Sequence, residues 1–540
     1  MNFFKSKWFL YSFLLILVFP SIVWIFLDNH VWPWDPSWYG EVSVKLAYNL
    51  THSLADWAVT MVSAFGVKAP GIAWIGQFFV PLSFLTGSVD SALLLSIITA
   101  QWITLLLIYK TVFYLTNMKH SLAFLATLMI AGAPLFIGLG HHYFVETWQL
   151  LVVALFLFIV VQMQSWSRYT SLLALAFVGS FAMLIKVTSP LYLLTVFGVF
   201  VWYFFKQKNQ LNFRDFLKTR KNIVYFLIVV VTLIAFVGWY VVNGAFILEF
   251  MKQASGGHLA DLYGSSAGFF TKFQFWIVAF AKSFFVPVSI VFLIILFSIF
   301  LVKVLAFKQG LQNKTFALFT TVSVMAVLLV LAIFSFQVNE ETRYLLPIIP
   351  YVAMCVCYML YRLNIQWLNV VAFVVFVIQF LVANGNVLGV IQNPTWNIRG
   401  WDTTVELNKN SKELVDFIIQ NTCNSSIADK INVIGVEYPS LNANSLGYYS
   451  IQEKFSRGYQ CYYTSLGYAA TDPQVAYLRL KNDINPPYFI TSSKDTLESN
   501  AFNAVSEPVV SLIEKDPDFE ELKLADDSKI RIFRSLRFPK

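Results

Sequence analysis

The chain has 540 residues, 58% hydrophobic and 13% charged, with a formal net charge of +8 and a mean hydropathy of +0.64. Soluble domains carry roughly 25% charged residues, so this make-up excludes an ordinary soluble enzyme and indicates a polytopic membrane protein. The lysines are dispersed rather than clustered, which fits basic inner loops between spans and argues against nucleic acid as a partner.

The first element is WFLYSFLLILVFPSIVWIFL, preceded by MNFFKSK. The basic start is that of a signal peptide. However, about twenty apolar residues is a spanning length and no small-residue cleavage site follows, so the stretch reads as a retained first span over residues 8–27. Further runs of spanning length fall near 91–116, 121–139, 147–163, 171–187, 190–205, 222–242, 283–305, 315–336, 344–361 and 367–385, which gives about eleven membrane helices.

Two connecting segments are long, 28–90 and 243–282. In the first, VSVKLAYNL and WAVTMVSAFG read as amphipathic helices lying on the membrane. In the second, ASGGHLADLYGSSAG at 254–268 reads as a mobile lid that orders on substrate binding, with an ordinary surface loop as the alternative.

Lys5, Lys7, Lys119, Arg168, the run 206–221, Lys303, Lys308, Lys314 and Arg362 fall in alternate loops. Lys and Arg near helix ends favour the cytoplasmic side, so these loops and the N-terminus are assigned inside. Asp28, Asp35, Glu41, Asp56, Asp90, Glu146, Glu249, Asp261, Glu340 and Glu341 collect in the opposite set. An odd number of spans sends the C-terminal region outside as well.

After about residue 393 the composition turns polar. The β-branched runs INVIGVEY, PPYFITSS and KIRIFR alternate with the helix-like stretches SKELVDFIIQN, DPQVAYLRLKND and AVSEPVVSLIEK, which predicts a small α/β domain. The expected organisation is a membrane domain over 1–392 and an extracytoplasmic α/β domain over 393–540. Cys355 and Cys357 lie in a span, whereas Cys423 and Cys461 are the only cysteines of the outer domain. That pair is a candidate disulfide, with two free buried thiols as the alternative.

Four features fall on the outer side at or near helix ends: Asp35 in WDPSWYGE, Lys68 in GVKAPGIAW, Glu146 in HHYFVETW and Arg343 in NEETRYLLPIIP. Singly, each has a plain structural reading. An interfacial acid is usually a solvated loop residue, interfacial Trp and Tyr form an ordinary belt, and an arginine at a helix start snorkels or pairs with Glu340 or Glu341.

Together they resemble a known family. DPSWYGEVSVKLA resembles the DExxYAExA-type first-loop motif of the GT-C membrane glycosyltransferases, particularly the protein O-mannosyltransferases and the ArnT-like lipid A aminoarabinose transferases. In family order, VKAPGIAWIGQFF resembles the KPPxxYW stretch. HHYFVETWQLLVVALFLF resembles the acid that opens the fourth helix, LIKVTSP the LxKxP stretch, and RYLLPIIPY the RYxLPxxP segment. The chain departs from the family in having Pro36 after Asp35 instead of glutamate, Glu146 instead of aspartate, and Val67 before Lys68.

The resemblance implies a GT-C fold and an inverting transfer of sugar from a polyprenyl-phosphate-linked donor. The acceptor would be a hydroxyl of a glycan, lipid or protein on the outer face of the cytoplasmic membrane. It makes Asp35 the catalytic base, and Lys68, Arg343 and Lys186 the ligands of the donor phosphate, whose charge guanidinium and ammonium groups neutralise. Glu146, His141, His142, Glu41, Tyr39 and Tyr344 are the candidate acceptor and sugar pocket. The expectation is that no cofactor or metal is needed. The alternative is a divalent ion held by His141, His142, Asp35 and Glu146, against which adjacent histidines lack the i,i+4 ligand spacing. Two other functional classes compete: a lipid or glycan transporter or flippase, which would carry mid-span charge and inverted repeats, and a non-catalytic, receptor-like relative.

Overall fold

The computed structural model describes residues 6–206, 216–256, 260, 264–307, 313–391, 404–466, 472–492, 503–522 and 530–538. Lys5, most of the basic run expected inside (207–215), Lys308 and part of the expected lid (257–259 and 261–263) therefore lie outside the described residues. Contacts divide the chain into two units. One comprises Met1–Phe26, Ala58–Ile75 and Ser91–Val405, and the other Leu27–Trp57, Gly76–Asp90 and Glu406–Lys540.

In the first unit ten described helices are long and apolar enough to cross a membrane, and a bent pair makes eleven when taken as one span. The chain is thus a multi-pass membrane protein. The bent pair, His120–Ala131 and Pro134–Gly140, meets at 62°. Ala133 at the break is extended, with φ −71° and ψ 126°, because the residue before a proline is pushed out of the α region.

The expected outer loop 243–282 is largely helical, which corrects that reading. The preceding span runs from Arg220 to Gly256, since GAFILEFMKQ contains no helix-stopping proline and Glu249, Lys252 and Gln253 are good helix formers. A second helix, Phe269–Phe284, buries Lys272, Trp276, Ala279 and Ser283, a single i, i+4, i+7, i+11 stripe. Between them Gly264 pairs with Asn339, and a Cβ at Gly264 would lie 1.7 Å from the Val338 carbonyl oxygen, so only glycine permits this approach. Ser265 Oγ donates to Glu340 at 2.8 Å, fastening the described part of the 254–268 stretch to the segment before Arg343.

The second unit holds a five-stranded sheet of order β2-β1-β3-β5-β4, with β1 Ile431–Ile434, β2 Tyr462–Ser465, β3 Tyr488–Ser492, β4 Phe519–Glu521 and β5 Ile530–Ser535. β1 runs parallel to β2 and β3, whereas β5 is antiparallel to β3 and β4. Successive strand residues face opposite ways. Ile434, Ile490 and Ile532 therefore enter one core with Ile418 and Leu446, while their neighbours Val433, Phe489 and Phe533 enter the other with Leu480 and Val509.

Cys423 and Cys461 are joined by a disulfide across 38 residues. Closing a loop of that size restricts the unfolded chain, so the double change Cys423→Ala with Cys461→Ala should cost about 4 kcal/mol. The midpoint of denaturant unfolding of the sheet-bearing unit measures the loss.

Helix Trp34–His52 belongs to this unit, and here too an expectation is corrected. The stretch VSVKLAYNL does not leave an apolar face free for a membrane, because Val44, Leu46 and Ala47 are all buried. The helix packs on Ala443–Gln452. A Cβ at Gly40 would come within 2.6 Å of the Tyr448 ring, and one at Gly447 within 3.0 Å of the Glu41 carboxylate. The other stretch, which begins in helix Leu54–Ser63, does keep Val59 and Val62 exposed.

Candidate active site

Glu146 lies in the first turn of helix Val145–Gln162 and is 1% exposed. Its Oε1 accepts from Lys186 Nζ at 2.8 Å and lies 3.4 Å from Arg343 Nε, while its buried Oε2 has no hydrogen-bond partner among the described residues. Lys186 caps helix Arg168–Ile185 in an extended conformation, φ −160° and ψ 131°, which turns it out of the helix line toward Glu146. Arg343 sits in the 3-10 stretch Thr342–Ile348. Its guanidinium lies over the Phe144 ring at 4.5 Å and reaches Glu341 at 3.6 Å. Its Nε makes neither carboxylate contact as a hydrogen bond, and both charge and an aromatic face contribute to holding the side chain.

Tyr344 completes the group: its ring lies under Lys186 Nζ at 4.2 Å, and its carbonyl accepts from Tyr192 at 2.7 Å. Sequence reading missed Tyr192, a buried tyrosine in an apolar span with no flanking signal. Four of the sequence-derived residues, Glu146, Lys186, Arg343 and Tyr344, are thus brought together from segments far apart in the chain.

The loop carrying Lys68 is tied to the same frame. A Cβ at Gly71 would lie 2.6 Å from the Leu184 carbonyl oxygen, and Tyr143 donates to the Ile72 carbonyl at 2.9 Å. The Lys68 loop therefore touches both the segment before Lys186 and the one before Glu146. It turns sharply just ahead of Lys68, where Phe65 and Gly66 take φ of 61° and 68°.

His141 is held against the first span. Its ring stacks on Trp24 at 4.2 Å and its Nε2 meets Ser21 Oγ at 3.1 Å. The His142 ring lies 5.8 Å from that of Phe144. Among the described residues no three His, Cys, Asp or Glu side chains gather as a metal-ligand group.

Asp35, Tyr39 and Glu41 are carried by the second unit. Asp35 occupies the first turn of Trp34–His52, after Pro33 at the N-cap. Pro36 is tolerated there because first-turn N–H groups have no helical acceptor, and the helix N-terminus favours a carboxylate. Tyr39 is buried. Glu41 lies six residues on, about 120° round the helix from Asp35 at 3.6 residues per turn, on the face toward Gly447. Its burial pushes the carboxyl up to about 7, against the pull of Lys45.

No protein-family model matches the chain, and no curated protein matches it. Solved structures do. ArnT from Cupriavidus metallidurans in its apo state matches with a TM-score of 0.58 at 12% identity, over 98% of both chains. The same protein bound to undecaprenyl phosphate gives 0.56 at 14%, over 98% of both. The oligosaccharyltransferase of Archaeoglobus fulgidus gives 0.50 at 11%, over 91% of this chain and 70% of that one.

The fold is the GT-C fold in its ArnT-like form. At such identity the comparison speaks for the fold alone, and the site of this chain rests on its own geometry. One further residue of the ArnT-like bundle escaped sequence reading. Lys272 is 4% exposed, and its Nζ donates to the Gln337 carbonyl at 2.6 Å, on the segment that leads to Arg343. Its signal was a lysine placed among aromatic residues in FFTKFQFW, on the buried stripe of an amphipathic helix.

Proposed function

We propose that this chain is an inverting glycosyltransferase that moves a sugar from a polyprenyl-phosphate-linked donor to an acceptor hydroxyl on the extracytoplasmic face of a cytoplasmic membrane. The observation that carries the reading is the buried group in which Glu146 lies between Lys186 and Arg343. A buried carboxylate is expensive, and two cations on aromatic faces suit a phosphate whose negative charge grows as its sugar departs. The structural neighbour that binds undecaprenyl phosphate supports a lipid-linked donor.

In the reaction Asp35 takes the proton of the acceptor hydroxyl. The hydroxyl oxygen attacks the anomeric carbon from the side opposite the phosphate, and the carbon–oxygen bond to phosphate breaks with its electron pair going to the phosphate. Lys186 and Arg343, with Lys68, receive that charge. One displacement inverts the anomeric centre. Glu146 aligns the two cations, and Tyr344 shapes their aromatic surround. The reading needs no metal, because the leaving group is a single phosphate. N-terminus inside and sheet-bearing domain outside is the orientation it requires.

The test uses purified protein with a radiolabelled polyprenyl-phosphate sugar and an acceptor panel. Wild-type protein should release polyprenyl phosphate, and Asp35→Asn at equal expression should abolish release. Transfer unaltered by Asp35→Asn sinks the assignment of the base, and export of the intact lipid surviving that change would indicate a transporter instead.

A further inference from the structure

We infer that Glu437, a residue of the sheet-bearing domain, is a positioning residue for the transfer reaction: it fixes the Trp34 ring, and through it the helical turn that carries Asp35. The inference rests on the reading of Asp35 as the base.

Glu437 follows β1, on the segment that leaves the carboxyl ends of the parallel strands, where open α/β sheets present functional groups. Its place there is closely fixed. The backbone N–H of Gly435 continues the sheet pairing by donating to the Ile490 carbonyl at 2.7 Å, past the end of the strand. A Cβ at Gly435 would lie 2.3 Å from the Phe489 ring, so a side chain there would displace the segment. The Glu437 N–H donates to Asn503 Oδ1 at 2.8 Å.

From this fixed backbone the buried carboxyl of Glu437 reaches Trp34, accepting from the indole Nε1 at 2.8 Å. The same turn is gripped through its backbone as well: Asn444 Nδ2 donates to the Trp34 carbonyl at 3.2 Å, and Ser445 Oγ to the Trp32 carbonyl at 2.7 Å. Trp34 is thus fastened at main chain and ring, immediately before Asp35.

Burial pushes the Glu437 carboxyl up to about 7, partly offset by the indole bond, whereas an amide would accept the same bond without that cost. Asp90, in the same unit, shows what a structural acid looks like. Its carboxylate accepts from Lys412 at 2.9 Å, Tyr448 at 2.6 Å, Tyr449 at 3.2 Å and Gln452 at 3.3 Å. Glu437 spends its single side-chain bond among the described residues on the tryptophan beside the base. A base must be held to a fraction of an ångström to act, and misplacement by about 1 Å costs on the order of 100-fold in rate.

The experiment measures kcat, the KM for the lipid donor and the thermal midpoint for wild-type protein, Glu437→Ala, Glu437→Gln, Trp34→Phe and the double variant Glu437→Ala/Trp34→Phe. Glu437→Ala should lower kcat about tenfold or more with the donor KM unchanged. Glu437→Gln, which keeps an acceptor for the indole, should recover most of that loss. Because the two residues act as one, the double variant should be no slower than the slower single.

An unchanged kcat in Glu437→Ala, losses that multiply in the double variant, or no recovery in Glu437→Gln would overturn the inference. Should Glu437→Ala fail to fold, Trp34→Phe decides: it keeps an aromatic ring and removes the indole N–H donor, so a comparable loss of kcat supports the inference and an unchanged kcat overturns it. Asp35→Asn run alongside separates the two levels. Transfer unaltered by it overturns both readings, whereas transfer abolished by it but untouched by Glu437→Ala removes only the role of Glu437.

Discussion

Glu146→Leu should lower the stability of the protein by about 3–5 kcal/mol, the cost of removing one partner from a buried ion group, read as a fall in the midpoint of thermal unfolding in detergent. The change leaves Lys186 and Arg343, 20% and 14% exposed as side chains, without the acid between them. Leucine also cannot accept the 2.8 Å bond from Lys186. A purely structural ion group would show this loss and nothing more. If the cations are a phosphate site, an added anion takes over the duty of the missing carboxylate. Polyprenyl phosphate should then raise the midpoint of Glu146→Leu more than that of wild-type protein, since a ligand that binds only the folded state stabilises by about 2.7 kcal/mol at one hundred times its dissociation constant. Equal upward shifts in the two proteins would contradict the phosphate role.

Arg343→Gln should slow sugar transfer by about 10²–10³-fold, the usual cost of removing one group that stabilises developing charge. The loss should fall mainly on kcat, because phosphate charge grows as the sugar leaves and the guanidinium is worth more then than in the ground state. Arg343→Lys should restore only part of the rate. Lysine supplies the charge but neither the planar fork nor the flat face that lies over Phe144 at 4.5 Å. Release of polyprenyl phosphate under single-turnover conditions checks both variants. Full activity in Arg343→Lys would show that charge alone suffices, and full activity in Arg343→Gln would remove the residue from the reaction.

The spans were legible because a bilayer demands about twenty apolar residues and nothing else in a sequence mimics that. The bend between His120–Ala131 and Pro134–Gly140 was not read from the sequence, where 121–139 is a single run of spanning length. The extension to Gly256 was not legible, because Glu249, Lys252 and Gln253 read as loop polarity although nothing stops the helix. β1, β3 and β5 were visible as β-branched runs, whereas β2 (YYTS) and β4 (FEE) are too short and polar to stand out. That Trp34–His52 belongs with Ala443–Gln452 was invisible to any local pattern, since its evidence is a contact between segments some 400 residues apart. For the same reason Glu146, Lys186 and Arg343 were each ambiguous alone. Only a resemblance in motif order grouped them, and the geometry now shows Lys186 and Arg343 around one carboxylate oxygen of Glu146.

The most direct test of the phosphate site compares binding of polyprenyl phosphate with binding of the matching polyprenol, which has the tail but no phosphate, to wild-type protein and to Lys186→Gln/Arg343→Gln. Wild-type protein should hold the phosphate at least about a hundredfold more tightly, as expected for two charge-assisted contacts of about 1.5–3 kcal/mol each, and the double variant should bind the two lipids alike. Equal affinity of wild-type protein for both lipids, or a preference for phosphate that survives in the double variant, would contradict the assignment.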